Sequence, residues 1–227
     1  MARYPDSTMS TFSCGPSNNA PRWGVIDFLA WQVVPPQIGG GRPYIKKFKD
    51  AWIRFHKQRI KSSALAYRLP PELLAGVCWI EVGGDPNFID RVAFEIRSFD
   101  WSGPVFVDKH LTVSNHPTKT SLGSVSMQLR TASQTLGIDV RELSTDQLRD
   151  LSKCLENDLF NIELAARHLR QLVNHDKLTT PLSMESVRIV GARYNRGIGL
   201  SLTQIQKNTR YGNFIVKNWP RFAQLLQ

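Results

Sequence analysis

Between Pro70 and Gly84 the chain reads PPELLAGVCWIEVGG, and no other segment constrains the fold as tightly. Two prolines suit a helix entrance, where φ is already fixed and the first backbone N–H groups have no helical partner to lose. Two glycines suit its exit, because glycine takes up left-handed geometry without steric cost. Between them Leu73, Leu74, Val77 and Ile80 recur at about 100° per residue and share one apolar arc. The spacing predicts a core helix that ends at Glu81, with that glutamate pointing into the middle of the arc. A carboxyl held there loses solvation of its charged form, so its pKa rises. The partial negative charge of a helix C-terminus pushes the same way. An acid that stays protonated near neutral pH can protonate a leaving oxygen, which glycoside cleavage requires. Position alone equally allows a glutamate that reaches solvent or pairs with a lysine.

The rest of the chain is organised around this helix. Residues 1–41 carry five prolines and end in Gly39–Gly41, which reads as an arm or cap with one apolar segment, Val25 to Val34, docking on the body. Residues 42–227 form the main domain. Its first stretch, Pro43 to Leu69, is helical: Ile45, Phe48, Trp52, Phe55 and the stem of Arg59 follow three- and four-residue steps. Lys46, Lys47, Lys49, Arg54, Lys57 and Lys61 are expected on its other faces. An insertion over residues 89–122 breaks the rhythm with short alternating runs that suit a small β or irregular lobe. Helices then resume, one over SVSMQLRTASQTLGI with Gly137 as its stop. Another opens at Ser144 with Gln147 at capping-box spacing. A third carries Ile162, Ala165, Ala166, Leu169 and Leu172 on one stripe, and the last is interrupted or started at Pro220. The fold class is mainly α, one domain with a small β or irregular insertion.

Composition narrows the function classes. No run approaches the roughly 20 apolar residues that a membrane helix needs, and MARYPDSTMSTFSCGPSNN has no apolar core of a Sec signal. The net charge of +10 suggests an anionic partner: nucleic acid, a lipid surface or an acidic wall polymer. Cys14, Cys78 and Cys154 are far apart without paired metal spacing, so neither a metal nor a disulfide is expected, and Cys78 reads as a small core residue. No cofactor is implied.

Four stretches follow one another in order: GVCWIEVGGDPN, GSVSMQL, NIELAARHLRQL and GARYNRG. Across roughly residues 65–200 they resemble the lysozyme-like superfamily, and most of all its lytic transglycosylase and goose-type lysozyme group. The resemblance implies a lysozyme-like α-helical domain in which Glu81, followed by Val82, Gly83, Asp85 and Pro86, is the general acid/base. It implies that Met127 and Gln128 line a glycan groove, within the Gly123 to Leu129 stretch. It also implies that Tyr194, in the Ala192-Tyr194-Asn195-Gly197 signature, brings its hydroxyl close to Glu81, and that Asn195 fixes the helix–loop geometry or lines the groove. Read without the resemblance, Tyr194 is equally a helix-end aromatic and Gln128 a solvated helix residue. Glu163 has Arg167 one helical turn on, which favours a surface pair over a second catalytic carboxylate. The chain departs from the family pattern at Val82, where many lytic transglycosylases have serine, and in the length of the segment after the glutamate helix.

The resemblance implies cleavage of peptidoglycan at its N-acetylmuramic acid to N-acetylglucosamine β-1,4 bond. Hydrolysis with inversion would need a second carboxylate roughly 6.5–9.5 Å from the first; Asp90, Glu95, Asp100 and Asp108 in the insertion are candidates. A lytic transglycosylase needs the glutamate alone, since the substrate's 6-hydroxyl attacks. With a wall substrate and no Sec signal, the expectation is an antibacterial effector made in the cytoplasm and injected into a rival's periplasm, countered by an immunity protein. A phage endolysin or virion-associated lysozyme is the alternative. A non-enzymatic module binding nucleic acid or glycan through the basic 46–61 helix is the rival class, with nucleic acid the weaker candidate.

Overall fold

The computed structural model describes residue 12 and residues 14–16, 20–83 and 121–227 of the chain, and these form a mainly helical structure. In chain order the helices are α1 (Val25–Gln32), α2 (Gly41–Phe55), α3 (Lys57–Ala66) and α4 (Pro71–Glu81). After the hairpin β1 (Ser121–Leu122) and β2 (Met127–Gln128) come α5 (Leu129–Leu136), α6 (Thr145–Leu155), α7 (Asp158–His175) and α8 (Met184–Arg196). The chain closes with α9 (Leu202–Gln206), α10 (Arg210–Lys217) and α11 (Trp219–Leu225). Residues 84–120 lie outside the described residues, and with them nearly all of the expected insertion and the four candidate second carboxylates.

Helix α4 runs through the centre. Leu73, Leu74, Val77 and Cys78 are fully buried, as the periodicity requires, and Pro71 starts the helix. Its exit is the expected one, with Gly83 at φ +76°. The α7 stripe of Ile162, Ala165, Ala166, Leu169 and Leu172 is buried against it in one continuous core. The Ser144–Gln147 capping box opens α6, and Pro220 restarts the chain as α11 after α10 has ended at Asn218.

Three helices approach one another through glycine. A Cβ on Gly191 of α8 would lie 2.7 Å from the Gly212 Cα of α10, and one on Gly212 would lie 2.0 Å from the Arg188 carbonyl oxygen. Gly76 of α4 likewise faces Ile215 and Phe222, where a Cβ would come within 2.8 Å. Without these side chains to hold them apart, the backbones of α8 and α10 touch, and both lie close to the end of α4.

Several expectations need correction. The 43–69 helix is two helices, broken at His56, whose ring lies 3.2 Å from Asp158 in the core. That buried pair fixes the chain where hydrophobic period alone sees no interruption. Lys49 belongs to the interior, not to a solvated face, and is 8% exposed. Arg59 contributes more than its stem: its Nε donates to the Leu159 carbonyl at 3.0 Å and its guanidinium pairs with Glu163. Glu163 therefore pairs across helices with Arg59, and not with Arg167. Met127 and Gln128 form a strand and do not begin a helix, because Gly123 at φ +74° and Ser126 at φ +48° turn the chain back on itself. Ser121 pairs with Gln128 and Leu122 with Met127 in this antiparallel hairpin. The cysteine reading is overturned as well: Cys14 and Cys154 form a disulfide across 140 residues, while Cys78 is free and buried as expected. Sequence distance hid the pairing, which depends on the arm returning to the end of α6.

Among residues 20–41, the docking contact is made chiefly by Trp23. It is buried with Phe48 and Tyr44 of α2 around it, at ring separations of 4.8 and 6.2 Å. Asp27 caps the start of α1 through the Gly24 N–H and also accepts from the Tyr44 hydroxyl at 2.8 Å.

Candidate active site

The last turn of α4 delivers Glu81 to a cleft of about 590 Å³. The hairpin supplies Met127 and Gln128, α5 supplies Arg130 and Thr131, and the end of α8 supplies Tyr194 and Asn195. All five residues singled out from the sequence thus line one cavity, although they come from three separate parts of the chain. Among the described lining residues Glu81 is the only carboxylate.

The local reasons for this convergence are visible. Gly123 lets the hairpin sit against the junction of α6 and α7, where a Cβ would come within 1.9 Å of the Leu155 carbonyl oxygen. Asn161, fully buried on α7, donates through Nδ2 to the Leu155 carbonyl at 2.9 Å and to the Leu122 carbonyl at 3.4 Å. This side chain ties the hairpin to the core and so sets where Met127 and Gln128 stand. Met127 is buried, and Gln128 is partly exposed with its amide oxygen accepting from Arg130 Nε at 2.7 Å. Its amide N–H groups have no partner among the described residues and can act as donors.

Among the described residues, burial, Tyr211 and Lys49 act on Glu81. Burial raises its pKa above the ordinary 4.5, and this is the largest effect. The Tyr211 hydroxyl, donating to Oε1 at 2.8 Å, opposes it by stabilising the charged form. The Lys49 ammonium opposes it too, at longer range. Lys49 Nζ donates to the carbonyls of Trp79 and Ile80 at 2.9 and 2.7 Å, satisfying two acceptors that a helix end leaves without partners. It also lies 5.2 Å from the Trp79 ring. Burial lowers the Lys49 pKa to about 8. The outcome is a carboxyl whose pKa lies above the ordinary carboxylate value, with burial as the largest cause.

Tyr194, expected to bring its hydroxyl close to Glu81, lines the same cleft. Its hydroxyl donates to the Val125 carbonyl at 3.4 Å, a long contact, while the ring lies 6.3 Å from that of Tyr211. Burial, and after it the Glu81 charge, raise its pKa well above 10. The direct partner is Tyr211 on α10, which sequence reasoning missed. Its position lies outside the four matching stretches, and the Gly191–Gly212 and Gly76–Ile215 contacts bring α10 to α4 and Glu81. His168, also missed, lines the cleft with Nδ1 3.2 Å from the Thr135 hydroxyl. Burial lowers its pKa to about 4, so it is neutral at physiological pH and offers hydrogen bonds without charge. Arg193, between the signature residues Ala192 and Tyr194, is held in the interior by a bidentate pair with Asp176, both bonds 2.8 Å. Its role is to fasten the end of α8 to the turn after α7.

No group of His, Cys, Asp or Glu among the described residues could hold a metal ion, and no described helix is long and apolar enough to cross a membrane. Comparison with family models, with curated proteins and with solved structures gave no match.

Proposed function

We propose that the chain is a muramidase that cleaves the β-1,4 bond between N-acetylmuramic acid and N-acetylglucosamine, with Glu81 as general acid and base. The reading is carried by the convergence of Met127, Gln128, Tyr194 and Asn195 on the cleft that holds a partly buried Glu81 with a raised pKa. Protonated Glu81 donates to the leaving glycosidic oxygen as the C1–O bond breaks, and positive charge develops on the sugar ring. The carboxylate so formed is stabilised by the Tyr211 hydroxyl and by the Lys49 charge. It then takes a proton from the group that attacks C1, either water or the sugar's own 6-hydroxyl, and the site is restored. Gln128 and Asn195 supply amides suited to the acetamido and hydroxyl groups of the chain.

The proposal extends to the setting. A disulfide between Cys14 and Cys154 is characteristic of oxidising compartments such as the periplasm, where peptidoglycan lies. Delivery into a competitor as an antibacterial effector, with an immunity protein that covers the cleft in the producer, is the form of this reading we favour.

Digestion of purified sacculi by wild type and Glu81→Gln tests it, with products resolved by mass. Wild type should release soluble muropeptides, and the substitution should cost about 10²–10⁴-fold, the usual contribution of a positioned acid. Anhydro products, lighter by one water, identify the 6-hydroxyl as the attacking group; hydrated products identify water. Absence of release by a folded wild-type protein overturns the proposal and leaves a glycan- or nucleic-acid-binding module.

A further inference from the structure

A second cavity of about 530 Å³ adjoins the Glu81 cleft. Asn195 and Arg196 line both, and Tyr211, which lines the second, reaches Glu81 in the first through its hydroxyl. One side of this chamber is apolar and rigid. Trp79 and Phe214 stack at 5.4 Å with an interplanar angle of 23°, Ile80 lies beside them, and Trp79 Nε1 is fixed by Asp50 at 2.8 Å. The other side carries Arg196, Asn208 and Arg210. Both arginines are exposed, and neither is paired with a carboxylate among the described residues, whereas six of the other arginines are. No carboxylate lines the chamber among the described residues.

Two guanidinium groups without a carboxylate partner among the described residues, in a chamber also lined by stacked aromatic rings, suit a ligand that alternates carboxylates with small aliphatic groups. Resting on the muramidase reading, we propose that this chamber binds the acidic peptide stem borne by a muramyl residue of the strand in the Glu81 cleft. The stem leaves the sugar at the 3-position and carries free carboxylates among alanine methyl groups and a long aliphatic diamino acid. Its carboxylates meet Arg196 and Arg210, and its aliphatic portions lie along Trp79, Ile80 and Phe214. The site then reads the peptide as well as the glycan, and prefers stem-bearing strands to stripped ones.

The test is equilibrium binding to the full chain carrying Glu81→Gln, which removes turnover from the measurement. The probes are disaccharide-tetrapeptide and the same disaccharide freed of its peptide by an amidase, which keeps only the lactyl carboxylate. The stem-bearing probe should bind about five-fold or more tightly, the worth of about 1 kcal/mol, and the advantage should shrink with added salt. Arg210→Gln, which alters a residue that does not line the Glu81 cleft, should remove much of the advantage, and Arg210→Lys should keep part of it. Equal affinity for the two probes overturns the proposal, and so does an advantage that survives Arg196→Gln/Arg210→Gln. Failure of the muramidase reading looks different. There wild type releases nothing from sacculi, whatever the two probes show in the binding experiment.

Discussion

At the scale of single residues, the pair Tyr211 and Tyr194 separates what geometry says from what the motif implies. Of the two, only Tyr211 bonds Glu81, at 2.8 Å. Tyr211→Phe should therefore lower turnover about ten-fold or more, as expected for loss of a hydrogen bond to a charged group. Tyr194→Phe should cost much less, and steady-state rates on sacculi compare the two directly. Lys49 acts through charge and through the end of α4. Removing it in Lys49→Met takes away a positive charge that favours the Glu81 carboxylate, so the Glu81 pKa rises and the pH profile of activity moves up. Lys49→Arg should retain the wild-type profile, which a purely structural loss would not predict. Glu81 also leaves a mark on stability. Its folded-state pKa is raised, so the folded form holds a proton that the unfolded form has released, and stability falls as pH climbs above the ordinary 4.5. Glu81→Gln should be more stable than wild type at pH 7, and the gain should vanish below about pH 4.5 in urea titrations. That glutamate was legible in the sequence because an apolar arc with one acidic member is a local pattern. Tyr211 and Lys49 were not, because their relation to Glu81 exists only once α10 and α2 have packed on α4.

At the scale of elements, helices with a clear apolar period were legible, and so were their caps at Pro71, Ser144 and Gly137. Breaks that arise from tertiary contacts were not. The chain turns at His56 to satisfy a buried carboxylate 102 residues away, and the 127–128 strand exists because it pairs with 121–122. The close contact of α8 with α10 belongs to the same class. Two isolated glycines within helical segments weaken each helix by about 1 kcal/mol relative to alanine, and nothing local says that they face each other. Gly212→Ala should be a harsh substitution, since its Cβ would stand 2.0 Å from the Arg188 carbonyl oxygen. We expect a loss of about 1–3 kcal/mol or more from overpacking, together with lower activity as α10 draws Tyr211 away from Glu81. Gly199→Ala, where a Cβ meets nothing within 4 Å, serves as the control. Chemical denaturation of both variants checks the contrast.

At the scale of the whole molecule, the Cys14–Cys154 bond joins the N-terminal arm to the same corner of the fold that supports the cleft. Asn157 Nδ2 lies 3.1–3.2 Å from the carbonyl oxygens of Cys14, Gly15 and Pro16, while its Oδ1 caps α7 through the Leu159 N–H at 3.0 Å. One turn further along α7, Asn161 holds the hairpin that carries Met127 and Gln128. The arm is thus fastened where α6 ends and α7 begins, and the loop it closes spans 140 residues. Closing so long a loop restricts the unfolded chain, and disulfides of this kind contribute about 2–4 kcal/mol. For a chain of this size that is about 5–15 °C in Tm. A reductant should lower the Tm of wild type by this amount and leave Cys14→Ser/Cys154→Ser unmoved, with the double variant melting where reduced wild type melts. The cleft residues make no covalent use of the bond, so the reduced protein should still turn over sacculi at temperatures well below its lowered Tm. Such a chain would be less stable in a reducing compartment than in an oxidising one, which agrees with the proposed envelope substrate. A Tm unchanged by reductant would remove the disulfide from the stability of the fold, and with it the structural support for an envelope location.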